Sequence, residues 1–348
     1  MSAQPRPARD FALIPADHLP PGPLDALTDV PGVAVGHRTL RGDGTATGVT
    51  AIMAAPGDPF REKIRASVDV INGFGKSVGL LQLRELGTIE TPILLTNTFG
   101  VPACAEALIR RAIAANPSIG RTTSTVNPLV LECNDGALND IQSFAVTRED
   151  AVAALDAASG GPVAQGAVGA GTGMTAFGFK AGIGTASRVL TLGARTFTLG
   201  ALVLANFGVP GDLVLPCGRR PSVRRDREGE KGSVIVILGT DLPLDDRQLA
   251  RTARRAAAGL ARLGSFWGHG SGDIALCFTT ADRVSHDPDP PFVTVTRIAE
   301  PLIDLPFRAA AEATEEAVLN ALCAAPAMQG RDRFFPSLAD WLQESVPS

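Results

Sequence analysis

Residues 264–278 read GSFWGHGSGDIALCF, a glycine-dense turn that delivers Ser271 to the start of an apolar run. From Ile274 to Phe278 the composition is that of a buried strand. Glycines at 264, 268, 270 and 272 argue against a helix entering that strand. Working upstream, residues 245–263 show an Arg/Ala/Leu amphipathic pattern with Asp245 or Asp246 near its cap, which predicts one helix. Before it, residues 233–238 (SVIVIL) read as a second buried strand. Downstream, Pro290-Pro291 breaks the chain before a predicted strand over 292–298 and a long predicted helix over 304–324.

The rest of the chain extends the same mixture. Short β-rich runs separated by glycine turns occupy residues 30–98: VAVGH, GVTAIMA, ASVDVING and PILLTNT. A helix is predicted over 103–115, closed by Asn116-Pro117, and another over 148–158, opened by Thr147 and ended by Gly160-Gly161. A glycine-rich stretch over 166–184 precedes two strand-like runs, RVLTLG and FTLGALVLANFG. Residues 1–25 read as an extended Pro-rich arm and residues 210–232 as a surface excursion. Strands and helices in separate runs predict an α+β fold layered around a sheet sandwich, not a regular βαβ wind.

Composition narrows the function classes. With 348 residues and 45% hydrophobic content, the chain can bury one large layered domain or two medium ones. A net charge of −4 argues against a nucleic-acid partner. The basic stretch Arg219, Arg220, Arg224, Arg225 and Arg227 is answered by Asp226, Glu228 and Glu230, and reads as a solvated loop. The N-terminus has no apolar core of a secretory signal, and the longest apolar stretch, residues 199–209, is too short to span a membrane. Five scattered cysteines without CxxC spacing make neither a disulfide framework nor a zinc site, so a reduced, cytoplasmic setting is expected.

Several motifs do not hold up. Gly73-Phe-Gly75-Lys76-Ser77 resembles the end of a phosphate loop, but Val70 stands where that loop needs glycine. Gly169-Ala-Gly171-Thr-Gly173 lacks dinucleotide-binding spacing. His18, His37, His269 and His286 are far apart, without metal-ligand spacing, and no GxSxG elbow is present. No metal and no cofactor are therefore expected.

A hydrolase without histidine help must activate its nucleophile otherwise, and the Gly270-Ser271 junction offers a way. Glycine can adopt backbone angles that present its carbonyl to the following hydroxyl. Attack by Ser271 on the Gly270 carbonyl would give an ester, and its hydrolysis would leave Ser271 with a free α-amine. That amine, of pKa about 7.7–8.0, is a competent base for its own hydroxyl. Taken alone, Gly-Ser-Gly-Asp at a strand start also reads simply as a turn.

Across nearly its whole length the sequence resembles the DmpA/BapA family of L-aminopeptidase/D-esterases and β-peptidyl aminopeptidases. The blocks that carry the resemblance occur in family order. They are LTDVPGVAVGH (27–37), FREK (60–63), VINGFGKS (70–77), LGTIETP (86–92), ECNDG (132–136), LND (138–140), LANFG (204–208), GSGD (270–273) and ATEEA (313–317).

The resemblance implies an αββα sandwich of the DmpA/ornithine-acetyltransferase type, a single domain over 1–348. It implies self-cleavage between Gly270 and Ser271 into an α subunit (1–270) and a β subunit (271–348) that stay associated. It also implies a homo-oligomer of such αβ units, and an aminopeptidase acting on small peptides, amides or esters with a free amino group. Ser271 matches the nucleophile and Asn206 the side chain that donates to the oxyanion. Glu132 matches the carboxylate that holds the substrate's amino group, with Asn134 beside it. Thr314 and Glu316 match a hydroxyl and a carboxylate near the nucleophile's amine. Without the resemblance, Asn206 reads as a turn residue, Glu132 as a surface charge and Glu316 as part of a solvated helix face. Asn134 and Ala137 stand where some relatives carry an aromatic, and the chain has no tyrosine, so a second oxyanion donor is not assigned. The same architecture also serves acyltransferases of the ornithine acetyltransferase type and nylon-oligomer hydrolases, usually with a threonine nucleophile, and these are the alternative readings.

Overall fold

A computed structural model describes residues 6–221, 223, 232–287 and 291–344. In chain order, β1 (Ala34–Gly42), β2 (Thr45–Met53) and β3 (Glu62–Gly73) lead to helix α1 (Leu80–Leu86), β4 (Thr88–Ile89) and β5 (Ile93–Asn97). Helix α2 (Val101–Ala115), β6 (Leu129–Cys133) and α3 (Arg148–Asp156) follow. Then come β7 (Thr175–Ala176), β8 (Phe179–Lys180), β9 (Ile183–Leu192), β10 (Arg195–Asn206) and β11 (Ser233–Thr240). Helices α4 (Asp246–Ala253) and α5 (Ala256–Arg262), strand β12 (Gly272–Ser285), α6 (Asp304–Cys323), the short strands β13 (Met328–Gln329) and β14 (Phe334–Phe335) and α7 (Leu338–Glu344) complete the order.

Two sheets face each other. One runs β1-β2-β5-β6 and the other β4-β3-β12-β11-β10-β9. Leu95 and Leu131 of the first meet Leu204, Ile235 and Ile274 of the second in a shared apolar layer. Helices α2 and α3 cover the outer face of the first sheet through Cys104, Leu108 and Leu155. Helices α4, α5 and α6 cover the outer face of the second through Leu249, Leu260 and Val318. This is an α+β fold with αββα layering, as expected.

Local sequence explains most element ends. Thr147 Oγ1 accepts from Asp150 N while the Asp150 carboxylate accepts from Thr147 N, a reciprocal cap that starts α3. Asp245 and Gln248 do the same for α4. Helix α6 is buried on nearly every face, which suits its alanine-rich text. It lies so close to β9 that a Cβ on Gly184 would fall 1.8 Å from Ala317 O.

Three expectations are corrected. The N-terminal arm is not merely extended: Ala8–Phe11 forms a 3-10 turn against α6, with Ala8 N donating to Asn320 Oδ1 at 2.8 Å. The single helix expected over 245–263 divides into α4 and α5, because Arg255, Ala257 and Ala258 each hydrogen-bond three residues back and tighten the turn between them. Residues 292–298 are not a strand. They have no ladder partner among the described residues, and Phe292 and Val293 face solvent. Arg224, Arg225 and Arg227, with their acidic neighbours, lie outside the described residues.

Candidate active site

Strand β12 pairs in parallel with β11 and antiparallel with β3, so Ser271 enters at the edge of a central strand with neighbours on both sides. It is fully buried. Its N–H donates to Gly268 O at 2.9 Å, and its hydroxyl donates to Asp273 Oδ1 at 2.7 Å. Ser271 thus closes the turn immediately before β12, and Asp273 is the second residue of that strand. Asn72 faces the junction from β3: its Nδ2 donates to Gly268 O at 3.0 Å and to His269 O at 3.4 Å, and it also bonds Ser271 O. Gly270 itself does not need positive φ. The left-handed positions of this turn are Gly264 (φ 99°) and Trp267 (φ 55°). The expected role of Gly270 as a source of left-handed backbone angles is thus not realised.

Asn206 ends β10 opposite Ser233, and Ser233 is opposite Gly272. The amide of Asn206 is held at both ends: Oδ1 accepts from Thr175 N at 3.1 Å, and Nδ2 donates to Asn134 O at 2.9 Å. Asn134 turns its own Oδ1 back to Gly136 N at 2.8 Å, so its side chain shapes the turn and its carbonyl orients Asn206. One Nδ2 hydrogen is used in this way and the second is left for another acceptor.

Glu132 is buried at the end of β6, not a surface charge. Oε1 accepts from Lys76 N at 2.7 Å and Oε2 from the Thr98 hydroxyl. The Gly73–Ser77 turn that resembles a phosphate loop thus wraps a carboxylate. A Cβ on Gly75 would stand 3.4 Å from Glu132 Oε1 and 3.8 Å from Gly272 Cα, so this one glycine separates Glu132 from the Ser271 turn. Among the described residues no cation forms a salt bridge with Glu132.

Thr314 and Glu316 lie on α6 and are not brought to Ser271 by any hydrogen bond. Glu316 is buried, not solvated, and binds Arg188 at 2.7 Å and Arg9 at 2.7 Å. Arg188 is opposite Leu199, which is opposite Thr240, which is opposite Thr279, eight positions along β12 from Ser271. The Thr314 hydroxyl is buried without a hydrogen-bond partner among the described residues and stands beside Gly259 of α5. Asp273 and Asn72 were not singled out by sequence reasoning, although both fall inside the quoted blocks. Nothing in a lone Asp or Asn reports its contacts across strands.

Among the described residues no group of three or more His, Cys, Asp or Glu side chains is arranged to hold a metal ion. No helix among them is long and apolar enough to cross a membrane.

The sequence model of "Peptidase family S58" matches residues 25–334. The chain is 38% identical to "Beta-peptidyl aminopeptidase BapA" of Sphingosinicella xenopeptidilytica, covering 89% of this chain and 83% of that protein. A solved "Burkholderia sp. beta-aminopeptidase" superposes with a TM-score of 0.89 at 38% identity, over 99% of this chain and 100% of the other. The L-aminopeptidase D-Ala-esterase/amidase of Ochrobactrum anthropi, described as a prototype of the serine aminopeptidases and a variant of the Ntn hydrolase fold, superposes at 0.87 with 37% identity, over 98% of each chain. With its layered fold and its buried Ser271 turn, the chain belongs to peptidase family S58 and is an aminopeptidase of the N-terminal-nucleophile class.

Proposed function

We propose that the chain is one αββα domain, made as a precursor that cuts itself between Gly270 and Ser271. The products, 1–270 and 271–348, stay associated, and the αβ units assemble into a cytoplasmic homo-oligomer. The freed Ser271 then attacks the first peptide, amide or ester bond of short substrates and releases an N-terminal α- or β-amino acid through an acyl-enzyme. Asn206 stabilises the oxyanion with its free Nδ2 hydrogen, a dipole fixed before the reaction begins. Thr314 and Glu316 enter this reading on the resemblance alone, as groups near the new amine.

The observation that carries the substrate side is Glu132. A buried carboxylate with neutral donors and no cationic salt-bridge partner among the described residues is matched to a substrate ammonium. Its place one glycine away from the Ser271 turn lets it measure distance from a peptide's N-terminus. An acyltransferase or nylon-oligomer hydrolase reading has no comparable support in the relatives. The test is turnover of H-Ala-p-nitroanilide against its N-acetyl form. The free amine should react and the acetylated form should not; equal rates would replace this reading by that of a general amidase.

A further inference from the structure

Chain scission and peptide hydrolysis start from different states of Ser271. After scission the residue has an α-amine that can serve as its own base. Before scission the same nitrogen is a peptide nitrogen without basic character, already donating to Gly268 O. Another group must take the hydroxyl proton. No histidine hydrogen-bonds Ser271; the acceptor of its hydroxyl is Asp273 Oδ1 at 2.7 Å, in a fully buried carboxylate at the start of β12. Asp273 is opposite Asn72 in the β12–β3 ladder, and the register shifts immediately afterwards, between Asp273 and Ile274. At that irregularity Asn72 grips the carbonyls of Gly268, His269 and Ser271, on both sides of the Gly270–Ser271 bond.

Resting on the self-cleavage reading above, we propose that Asp273 is the general base of chain scission, with Asn72 as the residue that positions the bond. Asp273 takes the hydroxyl proton as Ser271 Oγ bonds to the Gly270 carbonyl carbon, whose π electrons move to its oxygen. Collapse breaks the bond from that carbon to Ser271 N. Asp273 returns the proton to the departing nitrogen, and an ester joins Gly270 to Ser271 Oγ. Water hydrolyses the ester, leaving the Gly270 carboxylate, the free hydroxyl and the α-amine. From then on the amine is available as base, so Asp273 is a base for one event in the life of the chain.

The test follows intact mass at pH 8.5 for the wild type, Asp273→Asn, Ser271→Cys and the double variant, each checked by thermal melting. Asp273→Asn should remain a 36.0 kDa chain, its scission slowed roughly 10²–10⁴-fold, the usual worth of a positioned base. The double variant should cleave faster than Asp273→Asn alone, because a thiol, ordinarily of pKa about 8.5, yields its proton far more readily than a serine hydroxyl even where burial raises that value. A wild type that stays whole would refute self-cleavage itself. A cut wild type beside a folded Asp273→Asn cut at the same rate would overturn the role of Asp273 alone. Failure of the double variant to cleave faster than Asp273→Asn would make Asp273 structural and also overturn it.

Discussion

Asn206 and Gly272 stand on one line across three hydrogen-bonded strands, with Ser233 between them. Two strand spacings, about 10 Å in all, therefore separate the backbone of the oxyanion donor from that of the nucleophile turn. Rigid ladders hold both ends, and the Asn206 amide is fixed by Thr175 and Asn134. Removing the amide by Asn206→Ala should lower kcat by roughly 10²–10³ with little change in KM, since the donor acts on charge that exists only in the transition state. Steady-state kinetics on H-Ala-p-nitroanilide measure this, and an unchanged kcat would move the oxyanion hole elsewhere.

Ser271→Ala should block scission and hydrolysis together, because one hydroxyl serves both. Wild-type protein should resolve into species of about 28 and about 8 kDa, the 36.0 kDa chain divided in proportion to length. The alanine variant should give one intact mass. Activity in that variant would point to another nucleophile.

Glu132→Gln keeps the shape and both donors of the pocket but removes its charge. Loss of one partner from a buried charge pair costs about 2–5 kcal/mol, so kcat/KM on free-amine substrates should fall thirtyfold or more at about 1.4 kcal/mol per decade. Scission should continue, since the fold itself positions the Gly270 carbonyl. Mass and kinetics on one preparation separate the two effects; loss of scission alongside activity would make Glu132 a folding residue.

Arg188 is fully buried between Glu312 and Glu316, at 3.3 and 2.7 Å. Arg188→Met would leave both carboxylates buried and short of one partner, although Arg9 still reaches Glu316 and Arg308 still reaches Glu312. Breaking such a pair costs about 3–5 kcal/mol, to be read from the urea midpoint. A midpoint equal to wild type would mean that water or a rearranged Arg9 replaces the guanidinium.

Burial holds the His37 imidazole neutral and pulls its pKa down to about 4 from the ordinary 6.5. Its Nδ1 lies 2.9 Å from Thr50 Oγ1 and its Nε2 is buried without a partner among the described residues. The unfolded chain takes up this proton first, so the stabilising contribution is complete above pH 6.5 and is lost as pH falls toward 4, by at most about 3 kcal/mol. Melting curves of wild type and His37→Gln over that range should converge at low pH. Parallel curves would assign acid sensitivity to other groups.

Many of the strands and helices, the cap at Thr147, a cap at Asp245 or Asp246 and the glycine turn leading to Ser271 were legible in the linear text, because each is set by residues a few positions apart; α1, β6 and α7 were not. The quoted blocks likewise pointed to Ser271, Asn206 and Glu132 through the family resemblance. The division of α4 from α5 was not legible, since Arg254 and Arg255 are good helix formers and the break arises from hydrogen bonding in the folded chain. Residues 292–298 misled for the converse reason: their alternation suits a strand, but strand formation needs a partner edge, and none reaches them among the described residues. Burial of Glu132 and Glu316, the grip of Asn72 on the junction and the acceptance of the Ser271 hydroxyl by Asp273 were likewise decided only in three dimensions. Sequence reports periodicity and local chemistry, whereas the charge state, solvation and partners of a side chain depend on which strands the fold lays beside it.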